Sequence, residues 1–209
     1  MKVSIYGLIL SAAFLGFCFF AGGTVDAHAG EPTVAIKGTV DKVLEILRNP
    51  ELKKPNKEAE RRKLLRKVID ERFDFDEMSK RTLAIHWQKR TPAERTEFVD
   101  LFSDLLERSY INKIESYSDE TIDYIQETIE SDYALVKTRI ASKRNIEVPV
   151  DYKLIKKSGK WEVYDVVIEG ISLVNNYRSQ FNKIIHSDSY GELVRRLRNK
   201  QEKALFEKK

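Results

Sequence analysis

Few side chains in this sequence are of the kinds that do chemistry, and their spacing decides what each could do. His86 and His186 lie far apart, and neither has the i+3 or i+4 His, Cys or Glu partner that a metal site on a helix requires. The single cysteine, Cys18, falls in an N-terminal apolar run. Asp74 and Asp76 resemble a carboxylate pair for acid–base work, but alternation across Phe73-Asp74-Phe75-Asp76 points them apart, and capping of the next helix accounts for both. Gly170-Ile171-Ser172 sets a serine after a strand, yet the second glycine of a nucleophile elbow is missing and Ser172 suits a helix N-cap. No Gly-rich phosphate loop occurs. The residues therefore supply no nucleophile with a base, no metal: neither catalysis nor a cofactor is expected. What remains is Asp165, in mid-strand, and Arg178, in mid-helix, expected as a structural ion pair bracing one element against the other.

These two residues belong to WEVYDVVIEGISLVNNYRSQF, Trp161 to Phe181. Trp161, Val163, Asp165 and Val167 fall on one strand face and Glu162, Tyr164, Val166 and Ile168 on the other. Both faces are largely apolar, so a strand covered on both sides is expected. Gly170 supplies backbone freedom at its end. The helix that follows carries Val174, Tyr177, Phe181, Ile184 and Ile185 on one side.

The first half of the chain reads as helices. Val34 or Ile36, Val40, Val43, Leu44 and Leu47 recur at helical spacing until Asn49-Pro50, and Leu64, Leu65, Val68 and Ile69 form a second stripe. Thr91-Pro92-Ala93-Glu94 is a capping-box start for a long helix bearing Phe98, Leu101, Phe102, Leu105, Leu106, Tyr110, Ile111 and Ile114, a stripe wide enough for more than one neighbour. From Thr121 the period becomes alternating. Thr121 to Ser131, Tyr133 to Lys143, Ile146 to Lys156 and Lys160 to Glu169 read as successive antiparallel strands, with Pro149 placing the third at an edge or bulge. A closing helix beginning near Ser187 to Ser189 carries Leu193, Val194 and Leu197, then Leu205 and Phe206 in a fraying tail.

Lys2, the apolar run Ile5 to Ala21 and the small-x-small motif Ala27-His28-Ala29 read as a secretory signal covering residues 1–29. Phe17 is too large to precede a lipidated cysteine. Residues 30–209 are then one exported domain without disulfides, and a bacterial periplasmic location follows. The formal charge is +4 with 33% charged residues of both signs, a solvated surface. The basic clusters at Arg61, Arg62, Lys63, Arg66 and Lys67 and at Arg195, Arg196, Arg198 and Lys200 read as polar helix faces, not as a nucleic-acid site. Docking to an acidic protein surface or to anionic headgroups stays open. A helix-covered apolar sheet face is either filled by its own side chains or left as a cavity, and periodicity does not separate these.

Three blocks, FDFDEMSKRTLAIHW at Phe73 to Trp87, TPAERTEFVDLFSDLLERSY at Thr91 to Tyr110, and the Trp161 to Phe181 segment, resemble the MlaC family of periplasmic auxiliary proteins of bacterial phospholipid transport, also called toluene-tolerance proteins. One departure is Ala84, where the family commonly has glycine; it bears on local turn geometry, not on the fold. The resemblance implies an α+β fold: a curved antiparallel sheet of about four strands, covered by helices that enclose a deep apolar pocket for acyl chains. It further implies a monomeric phospholipid carrier shuttling between an outer-membrane lipoprotein complex and the MCE-domain subunit of an inner-membrane ABC transporter, maintaining outer-membrane asymmetry. A related branch is associated with hopanoids. The expected lipid contacts are Phe98, Phe102, Leu105, Val136, Thr138, Ile140, Val148, Val150, Tyr152, Tyr164, Val166, Ile168, Val174, Tyr177 and Phe181. The competing reading is a periplasmic protein-interaction module with a filled core, docking through its basic helices.

Overall fold

The computed structural model describes residues 30–117, 120–141 and 147–199. The apolar leader with Cys18 and Ala27-His28-Ala29, and also Lys143, Ile146, Lys200, Leu205 and Phe206, lie outside the described residues. Helices α1 (Glu31–Arg48), α2 (Glu58–Asp70), α3 (Phe75–Leu83) and α4 (Pro92–Glu115) come first. Strands β1 (Thr121–Glu130), β2 (Tyr133–Ala141), β3 (Glu147–Lys157), β4 (Lys160–Ile168) and the two-residue β5 (Ile171–Ser172) follow, then α5 (Leu173–Ser187) and α6 (Tyr190–Arg198). The sheet is antiparallel in the order β1-β2-β3-β4-β5. The α+β class holds, and β5 raises the expected four strands to five.

The helix starts follow the capping chemistry of their sequences. Thr91 accepts from the Glu94 N–H while the Glu94 carboxylate accepts from Thr91 N–H at 2.8 Å, with Pro92 in the first turn. Asp74, Ser172 and Ser189 cap α3, α5 and α6 in the same manner. The turn Ser158-Gly159 has both φ values positive, as does Glu169-Gly170, which folds β4 back onto β5 before α5 begins.

Two bulges change the strand pattern. In β4, Lys153 pairs with Asp165 and Leu154 with Val163, so Tyr164 is an extra residue. It reverses the alternation: Trp161 and Val163 turn inward before it, Val166 and Ile168 after it, and all four are in one cluster with Val136, Val150 and Leu154. This is why both strand faces look apolar in sequence. Ile125 plays the same part in β1, between Tyr124 and Gln126. Pro149 corrects a second expectation, for β3 is internal and Pro149 pairs in register with Arg139. Regular β3–β4 pairing begins only at Val150, so the missing N–H falls where β3 has outrun its partner.

The expected ion pair between Asp165 and Arg178 is not formed. Arg178 is exposed. Asp165 is 3% exposed and accepts from Ser172 Oγ at 2.7 Å, the Val174 N–H at 3.1 Å and Lys153 Nζ at 3.2 Å. The carboxylate ties β4 to α5, but through the first turn of the helix. Near the other end of β4, the α2–α3 linker adds a parallel bridge: Asp74 N–H donates to Val163 O and Val163 N–H to Arg72 O, at 2.9 and 2.8 Å.

The arginines of the basic helix faces are engaged within the molecule. Arg61 and Arg62 pair with Glu115, and Arg66 with Asp70, Asp104 and Glu107, stapling α2 to α4. Arg195 and Arg196 bind Glu192 within α6, while Arg198 reaches Glu97 of α4.

Two stability measurements test these assignments. Asp165→Ala should cost about 3 kcal/mol in denaturant unfolding, because it strips charge-assisted bonds from a buried N–H and hydroxyl, whereas Arg178→Ala should change stability by less than about 0.5 kcal/mol. Ala84 has φ 47° and ψ −118°, a backbone region natural to glycine. Ala84→Gly should therefore raise stability by about 1 kcal/mol.

Candidate binding cavity

The long helix α4 divides the interior in two. Its N-terminal and middle turns pack Phe98, Phe102 and Leu105 against Val174, Tyr177, Phe181 and Ile184 of α5, with Met78 and Leu83 of α3 and Leu193 and Leu197 of α6. Phe102 meets Tyr177 edge-on at 5.3 Å and Phe181 at 5.6 Å, and Phe98 meets Phe181 at 5.7 Å. These rings are 0–1% exposed. Such a cluster is a closed core.

The C-terminal half of α4 faces a hollow. Leu106, Tyr110, Ile111, Ile114 and then Tyr117 look across it at Ile140, Val148, Val150, Tyr152, Val166 and Ile168 of the sheet, with Ile69, Phe73, Phe75, Met78 and Leu173 closing the sides; the cavity measures about 210 Å³. A second cavity of about 170 Å³ lies under α1, between Ile36, Val40, Val43, Leu44 and Leu47 and the residues Ile122, Ile140 and Tyr152. The two adjoin, sharing Ile69, Phe73, Ile114, Tyr117, Ile140 and Tyr152. Together they lie in the ~300–1,000 Å³ range of ligand clefts.

In the larger cavity charge is confined to one side, whereas Arg72 and Glu120 border the second. Arg66, Glu107 and Lys113, all on α2 and α4, are the charged residues bounding the larger cavity. Arg66 donates to Ser103 Oγ at 2.9 Å, pairs with Glu107 and stands 6.0 Å from the Phe75 ring centre. Burial works against its charge, but Glu107 and Asp70 outweigh it and its pKa is raised. On the sheet side burial pushes the Tyr152 phenol up to about 12, and across the hollow it raises the Tyr110 and Tyr117 phenols. The larger cavity thus offers neutral, largely hydrocarbon walls and one charged margin. Among the described residues no cluster of His, Cys, Asp or Glu is arranged to hold a metal ion, and His86 binds Asn182 at 2.9 Å.

Of the fifteen lining residues expected from sequence, the structure brings Ile140, Val148, Val150, Tyr152, Val166 and Ile168 to the larger cavity. Phe98, Phe102, Leu105, Val174, Tyr177 and Phe181 are instead in the closed core. Val136 is fully buried beside Ile36 and Leu154, and Thr138 donates its hydroxyl to Val150 O at 2.6 Å. Tyr164, the bulge residue, meets Tyr133 edge-on at 5.9 Å, and the Arg81 guanidinium lies 4.1 Å from its ring centre. The residues missed include the second half of α4 with Tyr117, then Ile69, Phe73, Phe75, Met78 and Leu173, and the α1 face that bounds the second cavity. Leu106, Tyr110, Ile114 and Tyr117 recur at helical spacing, which was the available signal, but nothing local distinguishes them from the preceding turns.

Comparison with known proteins agrees with this architecture. Residues 37–199 match the family described as MlaC protein. A toluene tolerance protein, ttg2D, of Pseudomonas putida is 27% identical over 157 residues, covering 73% of this chain and 72% of that protein. The intermembrane phospholipid transport system binding protein MlaC of Haemophilus influenzae is 22% identical over 122 residues, covering 56% and 57%. A phospholipid-binding protein from Ralstonia solanacearum, solved in complex with a phospholipid, superposes with a TM-score of 0.75 at 25% identity over 85% of this chain and 100% of that one.

The division of α4 has a measurable signature. Phe102→Ala, in the closed core, should cost about 3–5 kcal/mol in thermal or denaturant unfolding, whereas Val148→Ala, which already faces empty space, should cost about 1 kcal/mol or less.

Proposed function

We propose that this chain, which belongs to the MlaC family, is a periplasmic phospholipid carrier: exported with loss of residues 1–29, it holds acyl chains in the paired cavities and its lipid headgroup at the charged margin. The observation that carries this reading is the apolar hollow between the sheet and the second half of α4, open space where the other half of the same helix is closely packed. Ile140, Val148, Val150, Tyr152, Val166 and Ile168 are the sheet-side contacts, and Leu106, Tyr110 and Ile114 face them. The residues act by exclusion of water, not by catalysis. The carrier exchanges lipid between an outer-membrane lipoprotein complex and the MCE-domain subunit of an inner-membrane transporter, and so serves outer-membrane asymmetry.

The energetics suit a carrier. A methylene withdrawn from water is worth about 0.8 kcal/mol, so two acyl chains of about thirty methylenes would cost on the order of 20 kcal/mol to cross an aqueous space uncovered. A dry cavity removes that barrier. Relative to a bilayer it gains almost nothing, because lipid tails already lie in hydrocarbon, and near-neutral exchange lets the cargo leave again. The competing module reading needs free basic helix faces, but Arg61, Arg62, Arg66, Arg195, Arg196 and Arg198 are paired within the molecule.

Mature protein purified without detergent should carry phospholipid, visible by native mass spectrometry and identified after extraction. A hopanoid in the extract would move the assignment to the related branch, and repeated isolation of empty folded protein from lipid-rich cells would refute the carrier. Val148→Trp, which fills the larger cavity, should leave the domain folded and lower lipid occupancy severalfold.

A further inference from the structure

The N-terminus of α1 is capped from a distance. Gly30, its N-cap residue, has no side chain to offer, and Glu127 of β1 supplies the missing acceptor: Thr33 N–H donates to Glu127 Oε2 at 2.7 Å. The approach is so close that a Cβ on Gly30 would stand 1.9 Å from Glu127 Oε1, so a larger residue here would displace the carboxylate. Nitrogen and Cβ positions on one Cα are roughly 2.5 Å apart, so the Gly30 nitrogen lies within about 4.5 Å of that oxygen. Among the described residues no cation pairs with Glu127. One residue on, Glu31 is held by Lys156 Nζ at 2.9 Å and Trp161 Nε1 at 3.2 Å. Immediately before Gly30 stands the small-x-small motif Ala27-His28-Ala29.

We propose that removal of residues 1–29 creates at Gly30 an α-ammonium that pairs with Glu127 and seats α1 as the outer wall of the second cavity. The inference rests on the exported-carrier reading for its cleavage step. Hydrolysis of the Ala29–Gly30 amide by water yields a carboxylate on the leader and an amine on Gly30. A positive charge at a helix N-terminus ordinarily opposes the helix dipole. Glu127 reverses that sign, so processing strengthens α1 where it would otherwise weaken it. Because α1 contributes Ile36, Val40, Val43, Leu44 and Leu47 to the cavity wall, the cut that frees the chain from its leader also completes the container.

The charged groups at this end of α1 are Glu127 from β1, which faces Gly30, and Glu31 on α1 itself, which is held by Lys156 of β3. Pairing raises the amine's folded-state pKa above its ordinary ~7.7–8.0. The stabilisation is therefore complete below that range and is lost as pH rises through the folded value.

The test uses protein released from a fusion so that it begins at Gly30, with the amine free or acetylated, each also with Glu127→Gln. At pH 7 the free-amine protein should melt about 2–4 °C above the acetylated one. The gap should close above about pH 10 and be absent with Glu127→Gln. Equal melting of the free and acetylated forms from pH 6 to 10 would overturn the pair, without relying on a substituted protein that folds poorly. An exported protein whose first residue, by intact mass, is not Gly30 would overturn the processing step. Lipid occupancy of the same samples is read separately: an amine-dependent gap in protein that never carries lipid supports the pair and removes the carrier reading alone.

Discussion

A buried carboxylate fixes the arrangement of this domain. Asp165 is desolvated and must be fully bonded, and its acceptors are met by the Ser172 hydroxyl, the Val174 N–H and Lys153. Serving them requires β4 to turn an otherwise inward residue outward, which the bulge at Tyr164 does. The same half-step turns Val166 and Ile168 toward the cavity. It also sets where α5 begins, and so which turn of α4 the rings of Tyr177 and Phe181 lock. The closed core and the hollow are two results of one hydrogen-bonding demand.

Much of this was legible in the residues. Caps at Asp74, Thr91, Ser172 and Ser189 act through bonds only three residues long, and sequence contains both partners. The strands announced themselves by alternation. The parity reversal in β4 did not, because an inserted residue in a ladder is defined by the neighbouring strand, here the Lys153–Leu154 step. Two apolar faces looked like a strand covered on both sides and were one face counted twice. Pairing Asp165 with Arg178 failed for a related reason. Opposite charges suggested each other, but backbone and hydroxyl donors at a helix start lay closer.

The site was half legible. Ile140, Val148, Val150 and Tyr152 lay on an identifiable apolar face, and their exposure to a cavity depends on what stands opposite. That is decided by α2, held away from the sheet and against α4 by Arg61, Arg62 and Arg66. Clusters that read as surface charge are staples across the cavity's roof. Exposed ion pairs contribute little each, but Glu115 receives two arginines in a partly buried setting, where pairing is screened less.

One helix with two duties has a consequence for descent. In most small domains a change of ligand disturbs the same side chains that keep the chain folded. Here the turns of α4 that secure the domain and those that bound the hollow largely follow one another, overlapping only around Ser103 to Leu106. The cavity wall is free to accumulate substitutions under selection for different cargo while Phe98, Phe102, Tyr177 and Phe181 hold the scaffold. Divergence among relatives should gather at the hollow end, making α4 a record of past ligands written along a single axis.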